Sequence, residues 1–246
     1  MLTQDTEIDL AAQALADARR IAVLSGAGLS KASGIPTYRD ADGLWAKGEA
    51  LRFSHADDLE RDPAGFSGFW ADRLREVEAA QPNPGHLALA RLQRLRPATR
   101  LITQNVDGLL TLAGGLEVLE LHGSLRRWRC DHCGNRNGPW PLQRCLRCGS
   151  RARPDVVMFG EMLNPGVLAE AQEAAEQADL FLVVGSTAVV YPAAELPLLA
   201  LRAGAQLATL NVEALKLDES AAFVLSGRAE ELLPRLLAHL GGDALD

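Results

Sequence analysis

The sequence predicts an α/β protein built on a doubly wound parallel sheet, with a small second domain inserted. Three observations carry that prediction. Short apolar runs rich in branched residues alternate with stretches of helical periodicity, the rhythm of a sheet covered by helices on both faces. The runs end in glycine or polar clusters: GAG, TQNVDG, HGS, GST and Asn211. One segment, Trp128 to Ser150, breaks the rhythm with cysteine, proline, glycine and arginine, as an insert would.

In chain order, residues 6–19 carry Ile8, Leu10, Ala11, Ala14, Leu15 and Ala18 at helical spacing. Ile21 to Leu24 reads as a strand buried on both faces. It stops at Gly26, Ala27 and Gly28, where the backbone can bend sharply and no large side chain keeps a phosphate from the N–H groups. A GxGxxG fingerprint would put a third glycine at position 31, where Lys31 stands, so a hydride-transferring dehydrogenase is disfavoured. Gly34 to Lys47 reads as a loop. Residues 63–79 form a helix with Phe66, Phe69, Trp70, Leu74 and Val77 on one side, and Asn83 suits the cap of a helix from about Gly85 to Leu95. Leu101–Ile102 and Val118–Leu121 are further strands, and Asp155 to Phe159 is expected to return to the same sheet. A helix over 165–177, a strand over 180–184, a helix over 193–203, strands over 206–210 and 223–225 and a helix over 229–240 complete the pattern. Ligands of such sheets bind beyond the strand C-terminal ends, so the polar clusters should meet in one crevice.

A formal net charge of -7 leaves no excess of cations for general nucleic-acid binding. The eight arginines from Arg126 to Arg153 read as a solvated face around a metal knuckle. The N-terminal MLTQDTEIDL has acids where a secretory signal has cations, and no apolar run approaches a membrane span, so a cytoplasmic protein is expected. All four cysteines form two CxxC pairs, Cys130 with Cys133 and Cys145 with Cys148. In a reducing compartment this spacing favours a closed, structural zinc site of four thiolates over a redox dithiol or four unligated thiols. His132 inside the first knuckle is an alternative ligand that four thiolates make unnecessary. The complete expectation is a Rossmann-like sheet with a small zinc-binding domain.

Gln104, Asn105 and Asp107 follow a strand directly. One helix cap needs fewer polar side chains, so ligand binding and capping both stay open. His122 is the only histidine at an expected strand end; a structural role is the ordinary one for a lone histidine, and the neighbouring glycine and serine favour a base. Trp70 and Arg73 share a helix face, which by itself suggests only an anchoring tryptophan beside a solvated arginine.

These pieces, in this order, resemble the sirtuins, NAD-dependent protein lysine deacylases. The resemblance rests on GAGLSKASGIPTYRD (Gly26 to Asp40), GLW (Gly43 to Trp45), PNPGH (Pro82 to His86), TQNVDGL, HGS, both CxxC pairs, RPDVVMFGE (Arg153 to Glu161), GSTAVVYPAA (Gly185 to Ala194), and Leu210 with Asn211. It implies an NAD-binding domain of residues 1–50, 81–125 and 154–246, with a small domain of a helical part, 51–80, and a zinc module, 126–153. It places the pyrophosphate at Ala27 with Gly26, Gly28 and Ser30. Ile35, Asn105 and Asp107 fall at the nicotinamide, with Pro36, Tyr38 and Val106 nearby, and Gln104 at its ribose. Arg39 belongs to the closing loop, and Trp45 also binds the cofactor. Gly185, Ser186, Asn211 and Ala229 hold the adenosine half, and Val212 and Glu213 also bind the cofactor; because GST replaces the more usual GTS, Thr187 is an alternative to Ser186. Val156, Val157 and Phe159 take the extended acyl-lysine peptide. In the implied reaction the acyl oxygen attacks C1′ of the ribose, nicotinamide leaves, and His122 is the general base, with Asn105 also catalytic. The products are free lysine and 2′-O-acyl-ADP-ribose; for the chain itself a monomer is expected. Trp70 and Arg73 stand where members acting on acidic acyl groups have tyrosine and arginine, so deacetylation is expected. A mono-ADP-ribosyltransferase and a non-catalytic NAD or ADP-ribose sensor are the competing readings.

Overall fold

The computed structural model describes residues 3–37, 52–136, 138 and 144–240. Six parallel strands form the main sheet: β1 (Ile21–Ser25), β2 (Arg100–Thr103), β3 (Leu119–Glu120), and, after an excursion, strands Leu180–Val184, Gln206–Asn211 and Phe223–Ser226. Their spatial order runs from β3 through β2 and β1 to Leu180–Val184 and then outward to Phe223–Ser226. The order reverses between β1 and Leu180–Val184, whose residues are buried throughout. That reversal is the topological switch point, and the GAG and GST turns lie at its two lips.

Each face of the sheet is covered by helices. On one face, α1 (Gln4–Asp17), the helix Pro84–Leu95 and the C-terminal helix Ala229–Ala238 pack Leu15, Leu89 and Leu233 on Val23 and Leu182. On the other, the helices Pro165–Glu176 and Leu196–Arg202 bring Ala171, Ala175 and Ala200 against Leu24 and Phe181. The small alanines let these helices approach the sheet closely. Asn83 caps its helix as expected, with its side chain accepting from the Gly85 and His86 N–H groups. The helix expected over 193–203 divides into a 3-10 turn, Ala193–Glu195, and the α-helix from Leu196.

One expectation is corrected. The segment after the cysteines does not return to the main sheet. Ala152–Val156 (β5) pairs antiparallel with Gly123–Cys130 (β4) in a separate two-stranded sheet. The apolar run VVMF imitates a core strand, but the buried positions begin earlier, at Ala152, and include Arg153 and Asp155. Those charges are tolerated because arginines and acids of the neighbouring segments pair with them. Gly123 starts the departure: its φ is +78°, and a Cβ there would overlap the Asp155 carbonyl oxygen. A third core follows, in which Phe53, Phe66, Trp70 and Leu74 pack on Leu125, Trp128, Cys130 and Val156. The helix Pro63–Ala79 and the cysteine segment therefore share one interior.

Candidate active site

The GAG and GST turns touch backbone to backbone. Gly26 N–H donates to Val184 O at 3.0 Å and Gly28 N–H to Gly185 O at 2.8 Å. A Cβ on Gly28 would lie 2.8 Å from Gly185 Cα, and one on Gly185, at φ +57°, 2.5 Å from Leu29 N. The glycines thus serve close turn-to-turn packing first, and of the three turn residues only Ala27 keeps its amide free of a partner among the described residues. Gly185→Ala combines a left-handed backbone with an overlap that nothing flexible can relieve. It is expected to destabilise the fold by roughly 2–5 kcal/mol, read from denaturant melts; an unchanged midpoint would contradict this packing.

Below the turn lies a closed polar chain whose donors and acceptors can be assigned. The Asn83 N–H donates to His86 Nδ1 at 3.3 Å, so the neutral ring carries its proton on Nε2, 3.3 Å from Ser30 Oγ. Burial pulls the His86 pKa down to about 4, which keeps it neutral. Ser30 Oγ–H then donates to Asp107 Oδ2 at 2.7 Å. Asn105 Nδ2 donates both to Ser30 Oγ at 3.1 Å and to Gly26 O at 3.0 Å, which leaves its Oδ1 as an acceptor unpaired among the described residues. The Asp107 carboxyl is raised above the usual range by burial, against lowering contacts from Leu109 N–H, Ser30 and the Arg126 charge. Arg126 locks the same loop from below, donating to Asp107 O at 2.7 Å and Val77 O at 2.9 Å.

His122 sits beside this chain. Its Nδ1 is 2.8 Å from Gln104 O. A carbonyl only accepts, so Nδ1 carries the proton and Nε2 presents a lone pair. Burial lowers the His122 pKa, opposed by that bond to Gln104. Gln104 Nε2 in turn donates to Ser186 Oγ at 2.7 Å, joining HGS, TQNVDG and GST in one place. Val157 N–H donates to His122 O at 2.9 Å, so the candidate peptide segment starts at the histidine itself.

The remaining expected positions distribute as follows. Ile35 and Pro36 lie half-buried at the described end of the loop, whereas Tyr38, Arg39 and Trp45 fall outside the described residues. Ser186 is buried with its hydroxyl engaged by Gln104 and Ala188 N–H, and Thr187 is exposed. Asn211 ends its strand; Val212 and Glu213 are exposed beyond it. The Ala229 side chain is buried in the core, which leaves its backbone for any ligand. Phe159 is exposed, its N–H bonded to Ser54 O. Trp70 is buried with its indole N–H on Phe53 O at 3.1 Å, and Arg73 pairs with Glu76 while lying over the Phe69 ring. Sequence reasoning missed His86 and Arg126 as members of the site. The Asn83 cap with a histidine three residues on was the available signal for the first; the second, amid eight arginines, had none.

The four cysteine sulfurs lie within 4.8 Å of one another, with Cys130–Cys148 and Cys133–Cys145 each at 3.6 Å. Tetrahedral thiolates on zinc, with bonds of about 2.3 Å, stand about 3.8 Å apart. The Arg147 N–H points at Cys145 Sγ at 3.4 Å, as donors do around a metal-bound thiolate. Ser150 draws Cys148 down to about 6. Despite a lowering bond from the Asn135 backbone, Cys133 is pushed up to about 12 by desolvation and the other sulfurs. Four thiolates cannot coexist here without a cation, and the set fits a closed zinc site. Most of the nearby arginines are engaged: Arg127 and Arg136 with Asp155, Arg129 and Arg153 with Asp131 and Glu161, and Arg144 and Arg151 with carbonyls. Among the described residues, no helix is long and apolar enough to cross a membrane.

Comparison with known proteins gives the same picture. The model of the Sir2 family matches residues 26–192. An NAD-dependent protein deacylase of Thermus thermophilus is 45% identical over 242 residues, covering 94% of each chain. NAD-dependent protein deacylase 1 of Archaeoglobus fulgidus is 41% identical over 232 residues, covering 92% of this chain and 95% of its own. The structure of a Sir2 homolog–NAD complex superposes with a TM-score of 0.87 at 41% identity, over 94% of this chain and 93% of the other. A mutant Sir2 homologue bound to ADP-ribose gives 0.88 at 40% identity, over 93% and 94%. With the family model matching residues 26–192 and relatives of 40% identity and more matched over most of both chains, the chain belongs to the Sir2 family.

Proposed function

We propose that this protein is an NAD-dependent protein lysine deacylase, transferring the acyl group of acyl-lysine to ADP-ribose with release of nicotinamide. The observation that carries the reading is His122: its Nδ1–H is fixed on Gln104 O, so Nε2 is free to accept a proton, and its own carbonyl holds Val157 of the peptide segment. In this reading Nε2 takes a proton from a ribose hydroxyl, so that its oxygen can attack the activated acyl carbon. Asn105, with its amide hydrogens committed to Gly26 and Ser30, offers Oδ1 as a fixed acceptor. Asp107 and Ile35 take the nicotinamide end and Gln104 its ribose. Ala27 faces the pyrophosphate, and Ser186 or Thr187 takes the adenosine ribose. Tyr38, Arg39 and Trp45 are the remaining cofactor-binding residues of this reading. The residues 126–153, with zinc on Cys130, Cys133, Cys145 and Cys148, and the helical 51–80 form the small domain against the NAD-binding remainder; zinc supplies structural cohesion and no chemistry. The reading includes a working monomer in a reducing cytoplasm, where four thiolates hold zinc without disulfides.

The test is stoichiometry. Nicotinamide release should require an acetyl-lysine peptide and match deacetylated peptide one for one. NAD turnover that ignores the peptide would sink the proposal.

Acyl choice follows from Arg73. Its charge is already partnered by Glu76 at 2.6 Å, so acidic acyl groups must compete for it. Acetyl-lysine is the expected preferred substrate. Because that pair is partly exposed and worth at most ~1 kcal/mol, Glu76→Gln is expected to raise the succinyl-to-acetyl ratio of kcat/KM by up to about fivefold. An unchanged ratio would remove the pair from acyl selection.

A further inference from the structure

Two arginines and two acids form a cluster, away from the NAD-facing residues, between the cysteine module and the Val156–Glu161 segment. Arg129 and Arg153 stand directly opposite each other across β4 and β5. Like charges so placed repel, and Asp131 and Glu161 are what hold them together. Arg153, only 3% exposed, donates from Nε to Asp131 Oδ2 at 2.7 Å, and it also bonds Glu161 Oε1 and, at 3.0 Å, Val156 O. Arg129 makes the parallel contacts, to Asp131 Oδ1 at 3.0 Å and to Glu161 Oε1 at 2.7 Å. The second Glu161 oxygen accepts from Met158 N–H at 2.9 Å, and Glu161 N–H donates back to Met158 O at 3.0 Å.

For stability alone, apolar residues of equal volume serve as well as a buried ion cluster. What this cluster holds is more informative. It fixes Val156 O on one side of Val157 and the Met158 N–H on the other, while Val157 N–H is fixed on His122 O. The backbone on both sides of Val157 is therefore set by Glu161 and its two arginines, while Phe159 is held separately by Ser54 O and Ala56 N–H. We propose that Glu161 is a positioning residue for the polypeptide substrate: held by Arg129 and Arg153, it fixes the backbone around Val157 so that the Val157 carbonyl, unbonded among the described residues, meets the residues flanking the acyl-lysine. The inference rests on the reading that the peptide lies along Val156, Val157 and Phe159.

The test compares Glu161→Gln with the parent enzyme, using a long acetyl-lysine peptide and a capped single acetyl-lysine. Loss of a charge-assisted bond predicts that the KM for the long peptide rises about tenfold, with the KM for NAD and kcat held within about twofold and the capped lysine unaffected. Retention of the parent's preference for the long peptide, or an equal rise in the KM for NAD, would overturn it. Should thermal melts show Glu161→Gln unfolded, Arg129→Met, which keeps the Arg153–Glu161 contact, should show the same selective loss at about threefold. A parent enzyme that favours neither substrate would refute the peptide reading, and the inference with it.

Discussion

Replacing His122 with alanine is expected to lower kcat/KM for the acetyl-lysine peptide by roughly 100- to 10,000-fold, the range for losing a positioned general base. NAD affinity should change little, because the imidazole is bonded to the Gln104 backbone carbonyl and the Gln104 side chain reaches Ser186 independently. The pH dependence has a defined sign. Burial lowers the His122 pKa from its ordinary value of 6.5. The ring must be neutral to act as base, so activity is retained as pH falls through 6.5 and is lost only below it. The acid limb of kcat/KM should lie under that value and vanish in His122→Ala. A variant that turns over normally would remove the base from the account, and one that no longer binds NAD would make His122 a ligand contact instead.

Removing the metal is expected to have the other large effect. Structural zinc contributes on the order of 10 kcal/mol to folding a small four-ligand unit. Trp128 is 1% exposed and packs in the same core as Cys130, Cys145 and Trp70. Stripping zinc with a strong chelator, or substituting Cys145→Ser, should open that core, shift tryptophan emission to the red and abolish deacylation. The parallel sheet has its own two cores, so much of the helical circular dichroism should survive. Metal-free protein with unchanged emission and full turnover would contradict a structural site.

The sheet was legible where burial is complete. Ile21–Ser25 and Leu180–Val184 are covered on both faces, so nearly every residue must be apolar and the runs stand out. The helix Pro63–Ala79 was legible for the opposite reason, since one apolar stripe faces one core. The β4–β5 pair was not, because its buried Arg153 and Asp155 read as surface until their partners are known. The GAG glycines were read as room for phosphate, yet Gly28 is set by contact with Gly185, a constraint from 157 residues further along the chain that no local window contains. The same holds for His86, whose neighbour Ser30 lies 56 residues earlier. Gln104, Asn105, Asp107 and His122 stand out because polar residues directly after apolar strands are few, and the fold gathers all four at the switch point.

The most direct test of acyl transfer to ADP-ribose is to follow adenine-labelled NAD in the presence of an acetyl-lysine peptide. The account predicts label in free 2′-O-acetyl-ADP-ribose, one for each acetyl group lost. Label covalently attached to protein, with the acetyl group still on lysine, would contradict it and identify an ADP-ribosyltransferase.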